Sequence, residues 1–469
     1  MPQDLIILLK GEKNMAIYKR KHGEVPPYWK LGPFELRLPF IHFRLEAPEI
    51  IQGFVLFSIG LSIIPLLQNN VGFSYEAALA AAILYLVTML MGPVFGVPLV
   101  PGFITAAIPL IVIFLGNFEP GPGAVQALIA LQISIAVIFL LLGITGLGKL
   151  IVTKLPHSLK GGILVGAGIA AIHGEIIDGG RLASTPISLI IGTAICFYIM
   201  FSQSFQRLYQ SSKAAKVIGN YGIMPAIIAA IAIGWLAKEY PAPKVEWGIV
   251  IPDLAELWKF TPFTVGFPGI DVFLMALPTA LIAYIIAYGD IVVGESLFKK
   301  ASETRDDENV HLDLSRLHIL AFVRNMIHAL FAPHPGLAGP IFTAGTASVL
   351  ERYKYGRTAM DSVYSGSASL LLAMLLANLL LPLVSLFQPV LPIALSLTLI
   401  ITGYLCISVG MEQLRSPMER GVGGVMAIVL FAYGATYAIV AGIVLYLLIQ
   451  RTGTKETPVQ EKTEIEKTG

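Results

Sequence analysis

Long apolar segments recur along this chain, and they constrain its fold more than any other feature. With 55% hydrophobic and only 13% charged residues among 469, and a mean hydropathy of +0.76, the chain is too apolar for a soluble domain. Judged against the roughly 20 residues that a helix needs to cross a bilayer, the segments predict an all-α polytopic membrane protein with about fourteen transmembrane spans. The apolar runs lie near residues 50–68, 75–92, 103–116, 124–148, 158–173, 184–204, 217–237, 270–294, 317–332, 340–350, 359–383, 389–410, 421–435 and 436–450.

The distribution of basic residues predicts the orientation. If both termini are cytoplasmic, nearly all of the 32 Lys and Arg residues fall on the inner side. The outer side then carries only Arg181, Lys238, Lys244 and Lys259, while Arg324 falls inside a span. Cytoplasmic loops are enriched in Lys and Arg, so this bias favours an even number of spans. We expect a multi-pass protein of the cell inner (plasma) membrane with both termini in the cytoplasm.

Five segments follow from the positions of the apolar runs and polar loops. Residues 1–48 are predicted to be a cytoplasmic N-terminal segment, and 49–238 the first set of seven spans. Residues 239–269 form an outer amphipathic connection that we expect to lie on the membrane surface. Residues 270–450 hold the second seven spans, and 451–469 form a polar tail that we expect to be disordered.

Two of the predicted spans are short and begin at Pro/Gly breaks. The third reads PLVPGFITAAIP over 98–109, and the tenth reads PHPGLAGPIFTAGTA over 333–347. Because seven spans separate them, the second copy would enter from the opposite side, which indicates a seven-plus-seven inverted repeat. Thr105 and Thr343 stand at equivalent helix starts, with His334 preceding the second. Half-helix N-termini suit an anion or a hydrogen-bond acceptor, although the two hydroxyls would equally serve as helix caps.

The sequence indicates no metal site, no disulfide and no catalytic motif. Cys196 and Cys406 lie in separate apolar runs, without a His or Cys at metal-ligand spacing, so we predict no metal site and no disulfide. The glycine-rich run 160–171 lacks the Walker pattern and is better interpreted as close helix packing. No hydrolase motif such as HExxH or GxSxG occurs. We therefore predict a protein that is not an enzyme, holds no cofactor and binds no nucleic acid.

Several motifs occur in an order that resembles a known family. Gln52 lies thirteen residues before Pro65 in QGFVLFSIGLSIIP, and residues 141–172 combine a Pro/Gly entry with a helix of small residues. Pro278 is followed by Gly289-Asp290, at the spacing of the pattern P-x7-E-x-x-G-[HD]. With residues 386–410, these features resemble the nucleobase-cation symporters of the xanthine/uracil permease family, with the sulfate permeases as more distant relatives. The likeness covers residues 50–412.

The resemblance breaks down at the binding site that it implies. In the family pattern the substrate-binding glutamate would fall at Ile286, and a second glutamate near Gly339 or Pro340. Neither position is acidic here. The resemblance therefore implies the fold and a transport function more strongly than it implies a nucleobase substrate. Ile286 and Gly339 from this pattern, Thr105 and Thr343 from the half-helix starts, and the amide of Gln52 in the first span are the candidate substrate-binding positions.

Ionisable residues inside the spans supply further candidates. Asp290 lies one turn beyond Ile286 on the same helix face, where an ionisable group is costly unless it faces a cavity or a partner. We expect Asp290 to be a coupling group; the alternative is a carboxylate that only bonds backbone at the cytoplasmic helix end. Arg324 and His328 are one turn apart and share a face. Arg324 could pair with Asp290 or with an anionic substrate, and His328 could titrate near neutral pH. Alternatively, both residues are structural. Gln52 could alternatively form an interhelical hydrogen bond instead of contacting substrate.

These features predict a secondary active transporter that moves a small polar solute, with a coupling proton or Na⁺. Spans 1–4 and 8–11 would form the substrate-binding core, and spans 5–7 and 12–14 a gate. The family implies a nucleobase-like substrate and a homodimer. A small anion such as sulfate, bicarbonate or a carboxylate is the close alternative, and a channel-like uniporter is an alternative of another class.

Overall fold

The computed structural model describes residues 17–450 except 178–179, 221–222 and 243, so the predicted tail and the first sixteen residues lie outside the described part. The described chain is mostly helical, as the hydropathy predicts. The α-helices in chain order are α1 Ala47–Leu56, α2 Ser58–Leu61, α3 Ile64–Leu66, α4 Tyr75–Val94, α5 Ile108–Leu115, α6 Pro122–Thr145, α7 Leu147–Lys154, α8 His157–Ile176, α9 Arg181–Ser184, α10 Pro186–Phe201, α11 Gln203–Ser211, α12 Lys213–Asn220, α13 Met224–Ala237, α14 Leu254–Trp258, α15 Pro262–Val265, α16 Ile270–Ser302, α17 Leu314–Phe331, α18 Thr343–Tyr353, α19 Val363–Asn378, α20 Leu381–Phe387, α21 Leu391–Gln413, α22 Pro417–Tyr433 and α23 Ala435–Leu445.

Short elements complete the fold. The π-helical segments are Leu67–Val71 and Tyr446–Gln450, and the 3₁₀ segments are Thr105–Ala107 and Gln388–Val390. The strands are β1 Trp29–Leu31, β2 Phe34–Leu36, β3 Gly102–Phe103 and β4 Ala338–Gly339. They form two antiparallel pairs, β1 with β2 and β3 with β4.

The number of membrane-spanning helices differs from the sequence expectation. Within the described residues, five helical stretches are long and apolar enough to cross a bilayer. A sixth is obtained if α10 and α11, which meet at 61°, count as one span. Several other predicted spans are shorter apolar helices, such as α1, α13 and α19. The expected count of fourteen is therefore not confirmed. The breaks at Pro65 and Pro109 help to explain the difference, because proline interrupts the backbone hydrogen bonding of a helix.

The helices pack in two groups. In the first, α6 contacts α16 and α17, while α19 contacts α1 and α4. In the second, α8 contacts α21 and α22, and α10 contacts α13. Glycines bring α8 and α21 together: a Cβ added at Gly168 would lie 2.5 Å from the carbonyl oxygen of Gly403. The glycine-rich run 160–171 thus serves close packing, as the sequence predicts.

The segment before the first helix is tied to the first group by partly buried ion pairs. The hairpin of β1 and β2 turns at Gly32, whose φ of 55° lies in the left-handed region. Glu35 accepts hydrogen bonds from Arg37 and Arg316, at 2.7 and 2.8 Å. Arg37 also lies over the ring of Tyr364, 4.1 Å from its centroid. Although burial opposes it, these two arginines lower the pKa of Glu35.

Candidate functional site

The two broken helices meet at a short antiparallel β pair. Gly102 of β3 lies opposite Gly339 of β4, and Phe103 lies opposite Ala338. Just beyond this crossing, the 3₁₀ turn at Thr105 leads into α5, and Thr343 begins α18. The Phe342 amide donates to the Val100 carbonyl at 2.6 Å, which ties the two segments together a second time. The inverted Pro/Gly breaks found in the sequence therefore lie in one place in the fold.

Close backbone approach makes glycine necessary at this crossing. A Cβ at Gly102 would lie 2.6 Å from the Phe342 Cβ, and one at Gly339 would lie 2.8 Å from the Phe103 carbonyl carbon. Real Cβ atoms do not approach other atoms this closely, so neither position can hold a larger side chain without a shift of the backbone. Leu337, directly before β4, has a φ of 47°. Such a conformation is strained for a residue other than glycine and is typical of functional segments.

Asp290 lies where the first helix group faces the second. The Thr343 side chain lies beside the Asp290 carboxylate. Cys406 of α21, in the second group, lies close enough to Asp290 for an electrostatic interaction. Thr105–Ala107 also contacts α8, α16 and α21. Asp290 and both half-helix starts thus line one region between the groups.

Arg324 lies behind the crossing, deep in the first group. Its side chain is 1% exposed. Its Nη1 donates to the Gly339 carbonyl at 2.7 Å, and its guanidinium carbon is 5.4 Å from the centroid of the Tyr85 ring. Nε and Nη2 have no partner among the described residues. Among the described residues, the pair of Arg324 with Asp290 that the sequence suggested is not formed, and Arg324 instead donates to the Gly339 carbonyl of β4.

The two histidines near the crossing, His328 and His334, are both fully buried. His328 Nδ1 faces the Ala332 carbonyl at 3.1 Å, and its Nε2 faces the Thr88 hydroxyl at 2.8 Å. Both of its nitrogens are occupied, so His328 is a structural residue in this arrangement. His334 Nδ1 accepts from the Gly336 amide at 3.1 Å, which places its hydrogen on Nε2. That nitrogen has no partner within the described chain.

The remaining candidates differ in how close they lie to the site. Gln52 Nε2 donates to the Ser348 hydroxyl at 2.5 Å and so joins α1 to α18, as expected of an interhelical hydrogen bond. Ile286 is a core residue, 6% exposed, on the same helix as Asp290. The other candidates, Thr105, Gly339 and Thr343, lie at the crossing or at the helix starts beyond it.

Three residues that support the crossing are absent from the sequence-based candidates. The Tyr85 hydroxyl lies 2.5 Å from the Gly102 carbonyl and 2.8 Å from that of Leu337. Asn325 bonds the Ala338 amide and carbonyl, and Gln132 accepts from the His334 amide. Each is a polar side chain in an apolar helix, and that isolation is the signal that could have identified them.

A crevice of about 360 Å³ separates the groups next to the half-helix α5. Asn69, Asn70 and Ile113 line it from the first group. His173 and the ion-paired Glu175 and Arg181 line it from the second. Within the described residues, no cluster of three or more His, Cys, Asp or Glu side chains could hold a metal ion.

Comparison with solved structures identifies the fold. No protein-family model and no curated protein matches the sequence. The chain is similar to the murine Solute Carrier 26 family member A9 (Slc26a9) anion transporter in its inward-facing state, with a TM-score of 0.52 and 14% identity over 86% of this chain and 68% of that one. The chain shares the fold of this transporter.

Two further structures show the same likeness. A structure of SLC26A9 has a TM-score of 0.55 and 15% identity, covering 86% of this chain. This chain spans only 64% of that protein. The transmembrane domain of a cyanobacterial bicarbonate transporter, BicA, has a TM-score of 0.52 and 15% identity over 85% of this chain and 97% of that domain. The described chain thus shares the fold of these structures, and its apolar helices indicate a multi-pass membrane protein.

These comparisons correct the family assignment made from the motifs. Assignment to the nucleobase-cation symporters is not supported, whereas the distant likeness to sulfate permeases is. The physical reason lies at the expected glutamate positions. Ile286 is buried among core residues, and Gly339 has no room for a side chain. Neither position therefore offers an acidic side chain for the recognition of a nucleobase.

Proposed function

We propose that this chain is a secondary transporter of small anions, such as bicarbonate, sulfate or a small carboxylate. The observation that carries the proposal is the β3–β4 crossing with Thr105 and Thr343 at the adjoining helix starts. A helix N-terminus presents free N–H groups and a partial positive charge, which favour an anion. The solved proteins of this fold are described as an anion transporter and a bicarbonate transporter.

The charge at the crossing agrees with this proposal. Arg324 cannot lose its proton inside a protein, and no described carboxylate is bonded to it. The positions that would carry glutamates in the nucleobase pattern hold Ile286 and Gly339, so no acidic side chain stands there to repel an anion. A buried, uncompensated cation beside two helix N-termini is unfavourable unless an anion balances it.

Coupling is assigned to Asp290. A carboxylate beside an anion site is repulsive unless a cation or proton neutralises it. The Asp290 carboxylate and the Thr343 hydroxyl supply oxygen atoms that can bind Na⁺, and the carboxylate can alternatively take a proton. In this proposal the substrate anion and its coupling cation occupy neighbouring positions at the start of α18.

The two helix groups are assigned the roles of core and gate. The core comprises the helices around α6 and α19, which carry the site, and the gate comprises those around α8 and α21. Movement of the core against the gate would expose the site to each side in turn. We also propose a homodimer in the cell inner membrane with cytoplasmic termini, which keeps the basic loops inside.

Ligand binding to the purified protein tests the proposal. We expect bicarbonate or sulfate, but not uracil or xanthine, to raise the melting temperature in a saturable manner. Thr343→Ala and Thr105→Ala should each weaken this binding by about tenfold, because a hydrogen bond to a charged group is lost. Thr145→Ala is the matched control, since the exposed Thr145 bonds only within its own helix region.

Two results would contradict the proposal. One is stabilisation by a nucleobase and by no anion. The other is anion binding that Thr343→Ala and Thr105→Ala leave at the level of Thr145→Ala, which would place the anion elsewhere.

A further inference from the structure

The two short helices α11 and α12 form a polar arm, residues 203–220, between two apolar helices of the second group. α10 ends at Phe201, and α13 begins at Met224 and packs against α10. α11 is bent by 61° from α10. With nine residues, it is roughly 14 Å long at about 1.5 Å per residue, too short to cross a bilayer. The arm therefore lies at the boundary between the apolar helices and water.

The arm is folded onto α10 and belongs to the second helix group. The main contacts of α11 and α12 are with each other and with α10. Phe205 is 5% exposed and packs with Ile199 of α10 and Ala215 of α12. The Ser202 hydroxyl accepts a hydrogen bond from the Phe205 amide at 3.1 Å and so caps the start of α11. These contacts fix the position of the arm on the second group.

Apolar side chains remain exposed on the arm. Phe205, Leu208 and Tyr209 share one face of α11 by their i, i+3, i+4 spacing. Although Phe205 is buried, Leu208 is 46% exposed and Tyr209 37% exposed, and Ile218 of α12 is 41% exposed. The rest of α11 is polar. Short amphipathic helices of this kind lie in the membrane interface, with the apolar face toward the acyl chains.

The arm also carries positive charge without a compensating acidic residue. Arg207, Lys213 and Lys216 lie within it, and no Asp or Glu occurs from residue 179 to residue 238. Arg207 and Lys213 are exposed. By comparison, the loop 299–316 mixes four basic residues with five acidic ones. The arm thus presents uncompensated positive charge beside an exposed apolar face.

We propose that the arm binds anionic phospholipid headgroups of the inner leaflet and so holds the second helix group at the membrane surface. The choice of leaflet follows from the orientation proposed above, whereas the binding does not depend on the transported substrate. Leu208 and Ile218 enter the boundary between headgroups and acyl chains, and Arg207 and Lys213 reach the phosphates. With the second group held in this way, the first group is the one that moves during transport.

Lipid titration of the purified full-length protein in a neutral detergent tests the proposal. Phosphatidylglycerol is added, and hydrogen exchange of residues 203–220 gives its apparent affinity. Phosphatidylcholine and inorganic phosphate are titrated in parallel. We expect phosphatidylglycerol to slow the exchange of the arm in a saturable manner, and added salt to weaken this effect because it screens the charges. Phosphatidylcholine should protect the arm less, and inorganic phosphate should not protect it.

Substitutions at exposed positions separate the charged from the apolar contribution. Arg207→Gln and Lys213→Gln should each weaken phosphatidylglycerol binding by about fivefold, the usual effect of one basic residue at an anionic membrane surface. The double variant should lose about 25-fold if the two residues act independently. Leu208→Gln should also weaken binding, while the remaining affinity keeps its salt dependence. Lys300→Gln, at an exposed position of α16 in the first group, is the matched control.

Four results would overturn the proposal. Phosphatidylcholine could protect the arm as well as phosphatidylglycerol does, or Arg207→Gln and Lys213→Gln could bind phosphatidylglycerol like Lys300→Gln. Equal protection by inorganic phosphate would indicate an anion site and not a lipid surface. Protection that rises with protein concentration in detergent alone would indicate a contact between two copies. None of these results bears on anion uptake, so the proposed function and this inference stand or fall separately.

Discussion

Gly339 shows how strongly single residues determine the geometry of this site. It pairs with Gly102, accepts a hydrogen bond from Arg324, and has backbone atoms of Phe103 and Ile104 within 2.9 Å of where a Cβ would lie. Gly339→Ala should therefore separate the strands and lower the free energy of unfolding by about 1–3 kcal/mol, the usual cost of overpacking.

Thermal unfolding of the purified variants measures this effect. Gly123→Ala is the control, since a Cβ at Gly123 would meet no atom within 4 Å. If Gly339→Ala and Gly123→Ala melt at the same temperature, β3 and β4 do not approach each other as closely as described.

Individual site residues could be predicted from the sequence only in part. Asp290 and Arg324 stand out because ionisable residues are rare in membrane spans. Their partners could not be predicted, since the contact of Arg324 with Gly339 depends on how a loop folds back onto a helix. Gly339 became a candidate because the family pattern places a glutamate near it. In the structure the position matters because the close backbone approach requires a residue without a side chain. Tyr85 was missed because one tyrosine in an alanine-rich helix resembles ordinary packing.

Among the larger elements, the N-terminal hairpin is the one whose attachment depends on pH. Glu35 joins β2 to Arg37 and Arg316, and its pKa is below the usual 4.5. A carboxylate with a lowered pKa contributes stability that is fully present above about pH 4.5 and is lost as pH falls through its folded value. Residues 29–36 should therefore lose hydrogen-exchange protection below about pH 4, after correction for intrinsic rates.

Substitution isolates the role of Glu35. Glu35→Gln should lower the protection of residues 29–36 at neutral pH and flatten its dependence on acid. Glu24→Gln, at an exposed position nearby, should behave like the wild type. If acid lowers the protection of the hairpin equally in Glu35→Gln and in the wild type, other carboxylates hold the hairpin in place.

The broken helices were the elements that the sequence predicted best. Pro and Gly at equivalent places in the two halves indicated that both helices are interrupted, and β3 and β4 mark those interruptions. The pairing of the two segments could not be predicted, because it joins residues more than 200 positions apart. The predicted count of about fourteen spans is not confirmed, because several of the apolar runs form helices shorter than a bilayer span in the described residues.

At the scale of the whole molecule, two helix groups meet along a seam that carries the site. The half-helix start at Thr105–Ala107 contacts α8 and α21 of the second group, although it belongs with the first. A crevice of about 360 Å³ opens beside it. Such an arrangement allows a bound anion to move with one group while the other stays in place, which is what transport by alternating access requires.

Uptake into proteoliposomes tests the central claim most directly. Radiolabelled bicarbonate and sulfate would be supplied with an inward Na⁺ or proton gradient, with uracil measured in parallel. We expect uptake of at least one anion that saturates with concentration, exceeds equilibrium while the gradient lasts, and is strongly reduced in Thr343→Ala. Uptake of uracil alone, or an anion flux that rises without saturation and never exceeds equilibrium, would contradict a cation-coupled anion transporter.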